Sequence, residues 1–234
     1  MKTIEAQNKS GFPLVEIALN KGDRLHIQRG SMVYRTPSVT LNTQLNANSG
    51  GFGGLIKAAA RAIASNESMF VTEATSNADG GIVAIAPSAP GDVMALQCGP
   101  EQYCLNDGAF LALDGTAGYN VEAVKNIGGA LFGRTGGFFV MKTHGTGMLL
   151  IEAFGTIREI QLTNESLTID NGHIVAWSQS LDYHIHTDSG WSQSIGTGEG
   201  LVNTFTGTGK VYVQSLNIET FASVLQPYLP TSSG

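Results

Sequence analysis

The sequence predicts an all-β protein of the β-sandwich type, and three observations support this prediction. The 234-residue chain contains 30 glycines, about twice the average usage, and only 14% charged residues. Short alternating segments such as Val-Tyr-Val at 211–213 are bounded by turn glycines, as in antiparallel β-strands. Three parts of the chain also align with one another. With 42% apolar residues, a chain of this length can bury its own core, so we expect one compact domain over 1–234.

Three pseudo-repeated units are indicated when Gly30, Gly108 and Gly172, which lie 78 and 64 residues apart, are placed in register. The aligned segments are GDRLHIQRGSMVYRTPSVTLN, PEQYCLNDGAFLALDGTAGYN and NESLTIDNGHIVAWSQSLDYH. Each is followed by a second strand–glycine turn–strand segment: SMFVTEATSNADGGIVAIAPSAPG, GFFVMKTHGTGMLLIEAFG and GLVNTFTGTGKVYVQSLN. We therefore predict three units of two hairpins each, over approximately 14–97, 98–161 and 162–217, whose sheets pack on each other.

Two helices are expected outside this pattern. GGFGGLIKAAARAIASNESMFV, in the first unit, predicts a short inserted helix near 55–64 with leucine, isoleucine and alanine on one face. That helix could cap an open end of the β-structure, which we favour, or lie on a membrane surface. The tail at 218–234 predicts a docking helix near 218–226 with its apolar residues on one face, ended by prolines.

The charge distribution bears on partners. Residues 1–61 carry eight Lys/Arg against three acids, whereas 62–234 carry five against sixteen, and the formal net charge is −6. The two parts could attract each other within or between subunits, or the charges could simply be solvated. No concentrated basic face is evident, so a nucleic-acid partner is not expected. So few charges suggest that other copies cover part of the surface: we expect a homo-oligomer, for which a trimer is one possible size, with a possible further protein partner.

The N-terminal sequence lacks the apolar core of a secretory signal, and no stretch approaches 18 continuous apolar residues. We therefore expect a cytoplasmic protein without a membrane span. In that compartment Cys98 and Cys104, six residues apart and on what could be opposite arms of a hairpin, should be free structural thiols. Two cysteines without further ligands make a poor zinc site.

Three histidines are the candidates for chemistry. His173 follows Asn171-Gly172, the favoured pair for a type I′ turn, so IDNGHIVAW is interpreted as a structural corner with an end-facing histidine. His184 and His186 are two residues apart, so in a strand both would point to one face, as paired metal ligands do. A third ligand is not assured, because Asp188 lies in a turn. We do not assign a metal to this pair.

Motifs for common enzyme classes are missing from the sequence. It has no Gly-x-Ser-x-Gly elbow, phosphate-binding loop or His-Glu-x-x-His, and its carboxylates form no close pair. We therefore assign no catalytic, cofactor-binding or metal residue and predict no cofactor. An enzyme would need a site assembled from residues distant in sequence.

Several segments together resemble the altered-inheritance-of-mitochondria family over roughly residues 14–217. They are GSMVYRTPSV, the glycine-rich stretch before ESMFVTEAT, APSAPGDVMALQ, FGTIREIQL, DNGHIVAWS and FTGTGKVYVQSLN. The resemblance implies a fold similar to that of the tryptophan RNA-binding attenuation protein. Its mitochondrial members are linked to inner-membrane organisation as structural components, whereas bacterial members are essentially uncharacterised. This chain shows no transit peptide, so we do not carry that location over, and a shared fold does not imply RNA binding.

The favoured hypothesis is an uncharacterised, non-catalytic β protein that acts as an oligomeric scaffold or protein-interaction module. The alternative is a small-ligand or metal-binding protein with a site between repeats, for which His184 and His186 are the residues to test.

Overall fold

The computed structural model describes residues 2–7, 11–45, 70–106, 108–123, 139–186 and 201–229. Within these ranges the chain forms seventeen β-strands in three antiparallel sheets and one α-helix. The prediction of an all-β protein is therefore confirmed. The predicted helix near 55–64 lies outside the described residues.

The first part of the chain folds into an antiparallel ribbon that is three strands wide and runs from one sheet into another; we call it the first ribbon. Its strands are β2 (Leu14–Leu19), β3 (Arg24–Gln28), β4 (Met32–Arg35), β5 (Val39–Leu45), β6 (Phe70–Ser76) and β7 (Gly81–Ile85), and β1 (Lys2–Gln7) adds to the outer edge of β2. β7 lies between β2 and β4, and β6 lies between β3 and β5. The middle of the ribbon is thus formed by the last part of it to be synthesised.

The second ribbon has the same arrangement. Its strands are β8 (Gly91–Cys98), β9 (Tyr103–Leu105), β10 (Phe110–Asp114), β11 (Ala117–Ala123), β12 (Phe139–Gly145) and β13 (Gly147–Phe154). β13 lies between β8 and β10, and β12 lies between β9 and β11.

The third ribbon is built from longer strands. They are β14 (Ile157–Asp170), β15 (Ile174–Ser178), β16 (Asp182–His186) and β17 (Val202–Gln214), with a 3-10 turn at Asn171–His173. β17 pairs with β14 along one edge and with β15 and β16 along the other. One continuous strand here takes the place of β6 and β7, or of β12 and β13.

Neighbouring ribbons are joined edge to edge. β3 pairs with β10, with Ile27 opposite Ala112, and β9 pairs with β15, with Leu105 opposite Ala176. These junctions give a six-stranded sheet in the order β5-β6-β3-β10-β13-β8 and a seven-stranded sheet in the order β11-β12-β9-β15-β17-β14 with β16 beside β17. The four-stranded sheet is β1-β2-β7-β4. Each junction therefore makes one sheet from two ribbons.

Glycines bend the middle of every ribbon. Gly80, Gly145 and Gly207 have φ values of +74°, +81° and +124°, which side-chain-bearing residues rarely adopt. Close behind each of them comes a glycine whose added Cβ would lie within 3.0 Å of a side chain from an earlier part of the same ribbon. The pairs are Gly81 with Val39, Gly147 with Ala117 and Gly209 with Leu181. The bend is therefore closely packed, and the same contact occurs three times.

The predicted units of two hairpins are wrong in their pairing. In a hairpin the two strands around a turn pair with each other, but those around Gly30, Gly108 and Gly172 lie apart. Around Gly30, β3 pairs with β6 and β4 with β7. Around Gly108, β9 pairs with β12 and β10 with β13, and around Gly172 both β14 and β15 pair with β17. The turns at Gly80 and Gly145 carry the chain between two sheets, and Gly207 lies within β17. Alternation and turn glycines locate strands, but they do not tell a reversal from a bend.

The C-terminal helix is confirmed as α1, over Ile218–Leu225, followed by a 3-10 turn at Gln226–Tyr228. Asn217 caps it, since its side-chain oxygen accepts hydrogen bonds from the amides of Glu219 and Thr220 at 2.9 and 3.3 Å. The ring of Phe221 packs edge-on against Phe154, with centroids 5.2 Å apart. No residue of the helix is buried against the described part of the chain.

The packed bends give a stability prediction. Gly209→Ala places a Cβ 2.9 Å from side-chain atoms of Leu181, Ser178 and Ser180, so the bend must open. We expect a loss of about 1–3 kcal/mol in the free energy of unfolding. Gly99→Ala is the control, because nothing lies within 4 Å of its added Cβ. Urea unfolding followed by circular dichroism compares the two; equal midpoints for both variants would contradict the packed bend.

Candidate functional site

His173 lies at the end of the 3-10 turn that joins β14 to β15, and it is half-buried. Its Nδ1 is 2.8 Å from the carbonyl oxygen of Gln214 on β17. A carbonyl oxygen can only accept, so Nδ1 carries the proton and donates it. Gln214 in turn donates from Nε2 to the carbonyl of Gly172 at 2.9 Å. The histidine thus ties the corner to the end of β17.

The predicted type I′ turn at this corner is wrong. Neither Asn171 nor Gly172 has a positive φ, and the side chain of Asp170 caps the turn by accepting from the amide of Gly172 at 2.8 Å. A Cβ on Gly172 would lie 2.0 Å from Nδ2 of Asn217, so the glycine is required by close packing. An aspartate cap can replace the backbone geometry that an Asn-Gly pair ordinarily supplies.

His184 and His186 do share one face of β16, as their spacing predicts. Their rings stack, with centroids 5.4 Å apart and an interplanar angle of 17°. His184 is exposed and His186 half-exposed, and Asp188 lies outside the described residues. Within the described ranges no group of three or more His, Cys, Asp or Glu side chains could hold a metal ion. The described residues therefore add no third ligand to the pair.

Cys98 and Cys104 are free, buried thiols, but they are not on the arms of one hairpin. β8 carries Cys98 in the six-stranded sheet, whereas β9 carries Cys104 in the seven-stranded sheet. Burial raises the pKa of both thiols, and that of Cys104 reaches about 12. Because the thiolate is the reactive form, neither side chain is poised as a nucleophile.

Glu152 is a buried carboxyl group that the sequence reasoning missed. It is 4% exposed on β13, and its Oε1 accepts from Nε2 of Gln28 at 3.0 Å and from Oγ of Ser88 at 3.1 Å. Its Oε2 is buried without a hydrogen-bond partner. Burial raises the pKa of Glu152 to about 6, although the bonds from Gln28 and Ser88 oppose the rise. Since Gln28 is on β3, this carboxyl lies where the first and second ribbons meet.

A second polar group, His26 with Glu73, lies near the same junction. His26 Nε2 is 3.6 Å from Glu73 Oε2, and Arg24 is 3.9 Å from the same oxygen. Burial lowers the pKa of His26, and the Glu73 carboxylate only partly offsets it. The His26 ring also contacts Tyr119 edge-on at 6.0 Å. A neutral, half-buried histidine in this setting packs between strands.

The junction of the second and third ribbons has its own carboxylate. Glu101 accepts from Oγ of Ser178 at 2.6 Å and from the hydroxyl of Tyr103 at 3.2 Å. The Ser178 oxygen also accepts from the amide of Lys210 at 2.8 Å. Ser178, on the edge strand β15, therefore connects β17, the middle strand of the third ribbon, to the carboxylate of Glu101 in the second ribbon.

These polar groups position ribbons against each other and assemble no acid–base or nucleophile pair. A signal for Glu152 was present in the sequence, since LLIEAF places one acid in an apolar run. Partners such as Gln28 are 124 residues away and could not be found without the register.

Comparison with known proteins decides the family. The family model described as "Mitochondrial biogenesis AIM24" matches residues 4–216. The chain belongs to the AIM24 family.

Two relatives are informative about this AIM24-family chain. It is 57% identical over 222 residues to the uncharacterized protein M6_Spy0233 of Streptococcus pyogenes serotype M6. The aligned region covers 95% of this chain and 89% of that protein. It is also similar to the crystal structure of protein SPYM3_0169 from Streptococcus pyogenes, with a TM-score of 0.82 and 54% identity over 97% of this chain and 99% of that one. Neither name states an activity. Among the described residues, no helix is long and apolar enough to span a membrane.

The buried Glu152 makes the stability of this AIM24-family protein depend on pH. Its folded-state pKa of about 6 lies above the ordinary 4.5, so the folded chain holds the proton more tightly than the unfolded chain. The free energy of unfolding should therefore fall as pH rises from about 4.5 to about 6. At pH 7 the cost is roughly 1–2 kcal/mol.

Glu152→Gln keeps an acceptor for Gln28 and Ser88 and removes the ionisation. We expect the variant to gain stability relative to the wild type at pH 7 and to lose that gain at pH 4.5. Chemical denaturation at both pH values measures the difference. A stability difference that is the same at both would show that Glu152 does not titrate in this window.

Proposed function

We propose that the protein is a non-catalytic, homo-oligomeric scaffold. The observation that carries the proposal is the placement of its exposed apolar side chains. Seven of the ten large hydrophobic side chains that are exposed in the described residues lie within 216–229: Leu216, Ile218, Phe221, Val224, Leu225, Tyr228 and Leu229. So many exposed apolar side chains in one short segment are typical of an interaction site and unfavourable in a monomer.

The C-terminal helix supplies an amphipathic surface for such an interaction. Ile218, Val224 and Tyr228 are 56%, 60% and 84% exposed, while the ring of Phe221 packs against Phe154 of β13 and holds the helix on the β-structure. A helix that is held in place with its apolar face outward is suited to packing against a second copy. The 14% content of charged residues supports the same view.

We also propose that the scaffold consists of the three repeated units predicted over approximately 14–97, 98–161 and 162–217; the strands of the three ribbons span 14–85, 91–154 and 157–214. The support is the recurrence of one pairing pattern, including a β-bulge at the same position of each ribbon. The register shifts between Met32 and Tyr34, between Phe110 and Ala112, and between Ile174 and Ala176. Four further expectations stay predictions. They are one domain with a C-terminal tail, a cytoplasmic location, similarity to the tryptophan RNA-binding attenuation protein, and the lack of a nucleic-acid partner.

Charge placed on the apolar face of the helix tests the scaffold proposal. We expect the wild type to exceed its monomer mass of 24.6 kDa in light scattering after gel filtration. Val224→Lys with Leu225→Lys should reduce that mass, because two charges would have to be buried. Thr220→Lys with Ser223→Lys is the control: it adds the same charge away from the apolar residues.

A wild type that stays monomeric at all concentrations would overturn the scaffold proposal. An oligomer that tolerates both double variants equally would remove the helix as a contact.

A further inference from the structure

Two strand edges lack a partner strand in the described structure although the equivalent edges of the other ribbons have one. β4 pairs with β7 on one side, and residues 165–170 of β14 pair with β17 on one side; no described strand pairs with their outer edges. The equivalent edges elsewhere are paired, β10 with β3 and β15 with β9. We call β4 the first-ribbon edge and residues 165–170 the third-ribbon edge. The row of three ribbons is open at these two ends.

The first-ribbon edge is exposed where its equivalents are buried. Val33 is the bulge residue of β4, without an opposite residue on β7, and it is 54% exposed. The equivalent bulge residues of the other ribbons are Leu111 and Val175, which are 0% and 1% exposed. Tyr34 is 42% exposed, although Met32, Val33 and Tyr34 form an apolar strand. An exposed apolar edge strand of this kind is a template for pairing with another chain.

The two paired junctions also bury side chains in the neighbouring ribbon's core. From the second ribbon, Leu111, Ala112 and Leu150 join the core of the first. From the third ribbon, Val175, Ala176 and Tyr212 join the core of the second. By position, the next members of this series are Val33 and Tyr34, which are exposed, and Ala84, which is already buried within its own copy. The core of the third ribbon, where Leu167 and Ile169 are only partly buried, is their counterpart.

We propose that β4 of one copy pairs antiparallel with residues 165–170 of β14 in a second copy, with Tyr34 opposite Ile169. The inference rests on the proposed oligomeric scaffold and specifies its contact. Continuity with the two junctions inside the chain selects a second copy as the occupant, because the third ribbon presents the edge that would follow. The basic excess of residues 1–61 and the acidic excess of the remainder favour the same head-to-tail contact.

The register follows from the two junctions that the chain contains. Shifting the first number of the Ile27–Ala112 pair by 78 and the second by 64 gives the Leu105–Ala176 pair. These are the spacings of Gly30, Gly108 and Gly172. Shifting Leu105 forward by 64, and Ala112 back by 78, gives Ile169 and Tyr34. An isoleucine opposite a tyrosine is a favourable cross-strand pair.

A polar contact supports the same register. At the junction of the second and third ribbons, Oγ of Ser178 accepts from the amide of Lys210 and donates to Glu101. Thr36 occupies the equivalent position in the first ribbon, and its Oγ1 accepts from the amide of Ile82 at 3.0 Å. The equivalent of Glu101 is Glu165, an exposed residue on β14. Thr36 of one copy would therefore donate to Glu165 of the second copy, while Oγ of Ser38, 3.0 Å away, donates to Thr36.

Because the two edges differ, the contact is heterologous, and repeated use of it closes into a ring or extends as a filament. A ring leaves neither of these edges unpaired.

The first experiment introduces a charge at the edge. Tyr34→Glu should lower the mass of the assembly towards the 24.6 kDa of a monomer, because the carboxylate would lie opposite Ile169 of the third-ribbon edge. Thr40→Glu is the matched control: Thr40 is also exposed and lies on β5, which is an edge strand outside the proposed contact. Sedimentation velocity of wild type and both variants gives the masses.

The second experiment tests the register. Tyr34→Cys and Ile169→Cys proteins are mixed and oxidised; directly opposed residues lie close enough for a disulfide, so a cross-linked dimer should form. Arg35→Cys mixed with Ile169→Cys should not cross-link, since neighbouring residues of a strand point to opposite faces. The native Cys98 and Cys104 are 0% and 3% exposed and do not compete.

The outcomes separate the two proposals. A monomeric wild type overturns both. An oligomer whose mass Tyr34→Glu leaves unchanged, or a mixture that cross-links no better through Tyr34→Cys than through Arg35→Cys, overturns the edge contact and leaves the scaffold standing. A lower mass with Tyr34→Glu but not with Thr40→Glu, together with the register-specific cross-link, establishes the contact.

Discussion

The pairing of strand edges is the constraint on which the rest of this structure depends. A strand at the edge of a sheet exposes backbone amides and carbonyls that need partners, and burial without partners is costly. In this chain β10 supplies the partner of β3, and β15 supplies the partner of β9. The ribbons therefore cannot be treated as independent domains. Their cores confirm this, since each of the three hydrophobic clusters contains side chains from more than one ribbon.

The bends explain how one ribbon can serve two neighbours. A flat ribbon would belong to a single sheet, but Gly145 and Gly147 turn the middle of the second ribbon so that β12 and β13 enter different sheets. Its two halves then pair with different ribbons, β10 with the first and β9 with the third. The inner glycine leaves room for the side chain that fills the bend, Ala117 in this ribbon. Small residues at the bends thus determine which strands are available at the junctions.

The sequence was informative where structure is local and uninformative where it is not. Alternation, turn glycines and the tail pattern identified the strands and α1, and the spacing of Gly30, Gly108 and Gly172 matches the register of both junctions. Pairing was predicted wrongly, because a strand–glycine–strand segment is compatible with either a hairpin or a bend. Buried carboxyl groups were missed for a related reason: Glu152 is recognisable as buried only once Gln28 and Ser88 are placed beside it. The histidines attracted attention by residue type alone, yet His173 anchors a corner and His184 lies exposed on an edge strand.

The composition of the junctions shows why the first-ribbon edge differs from its equivalents without being a different kind of surface. At each junction a residue of the edge strand sits opposite a residue of its own middle strand, and both face the neighbouring core. The pairs are Ala112 with Leu150 and Ala176 with Tyr212, one small side chain beside one large. In the first ribbon the pair is Tyr34 with Ala84, again one small and one large, but with the positions exchanged. Packing depends on the summed volume that fills a space, so an exchange of this kind preserves the fit while moving the aromatic ring to the edge strand. A ring at the edge can reach across to another chain, whereas an alanine there depends on a strand already held close by the same chain.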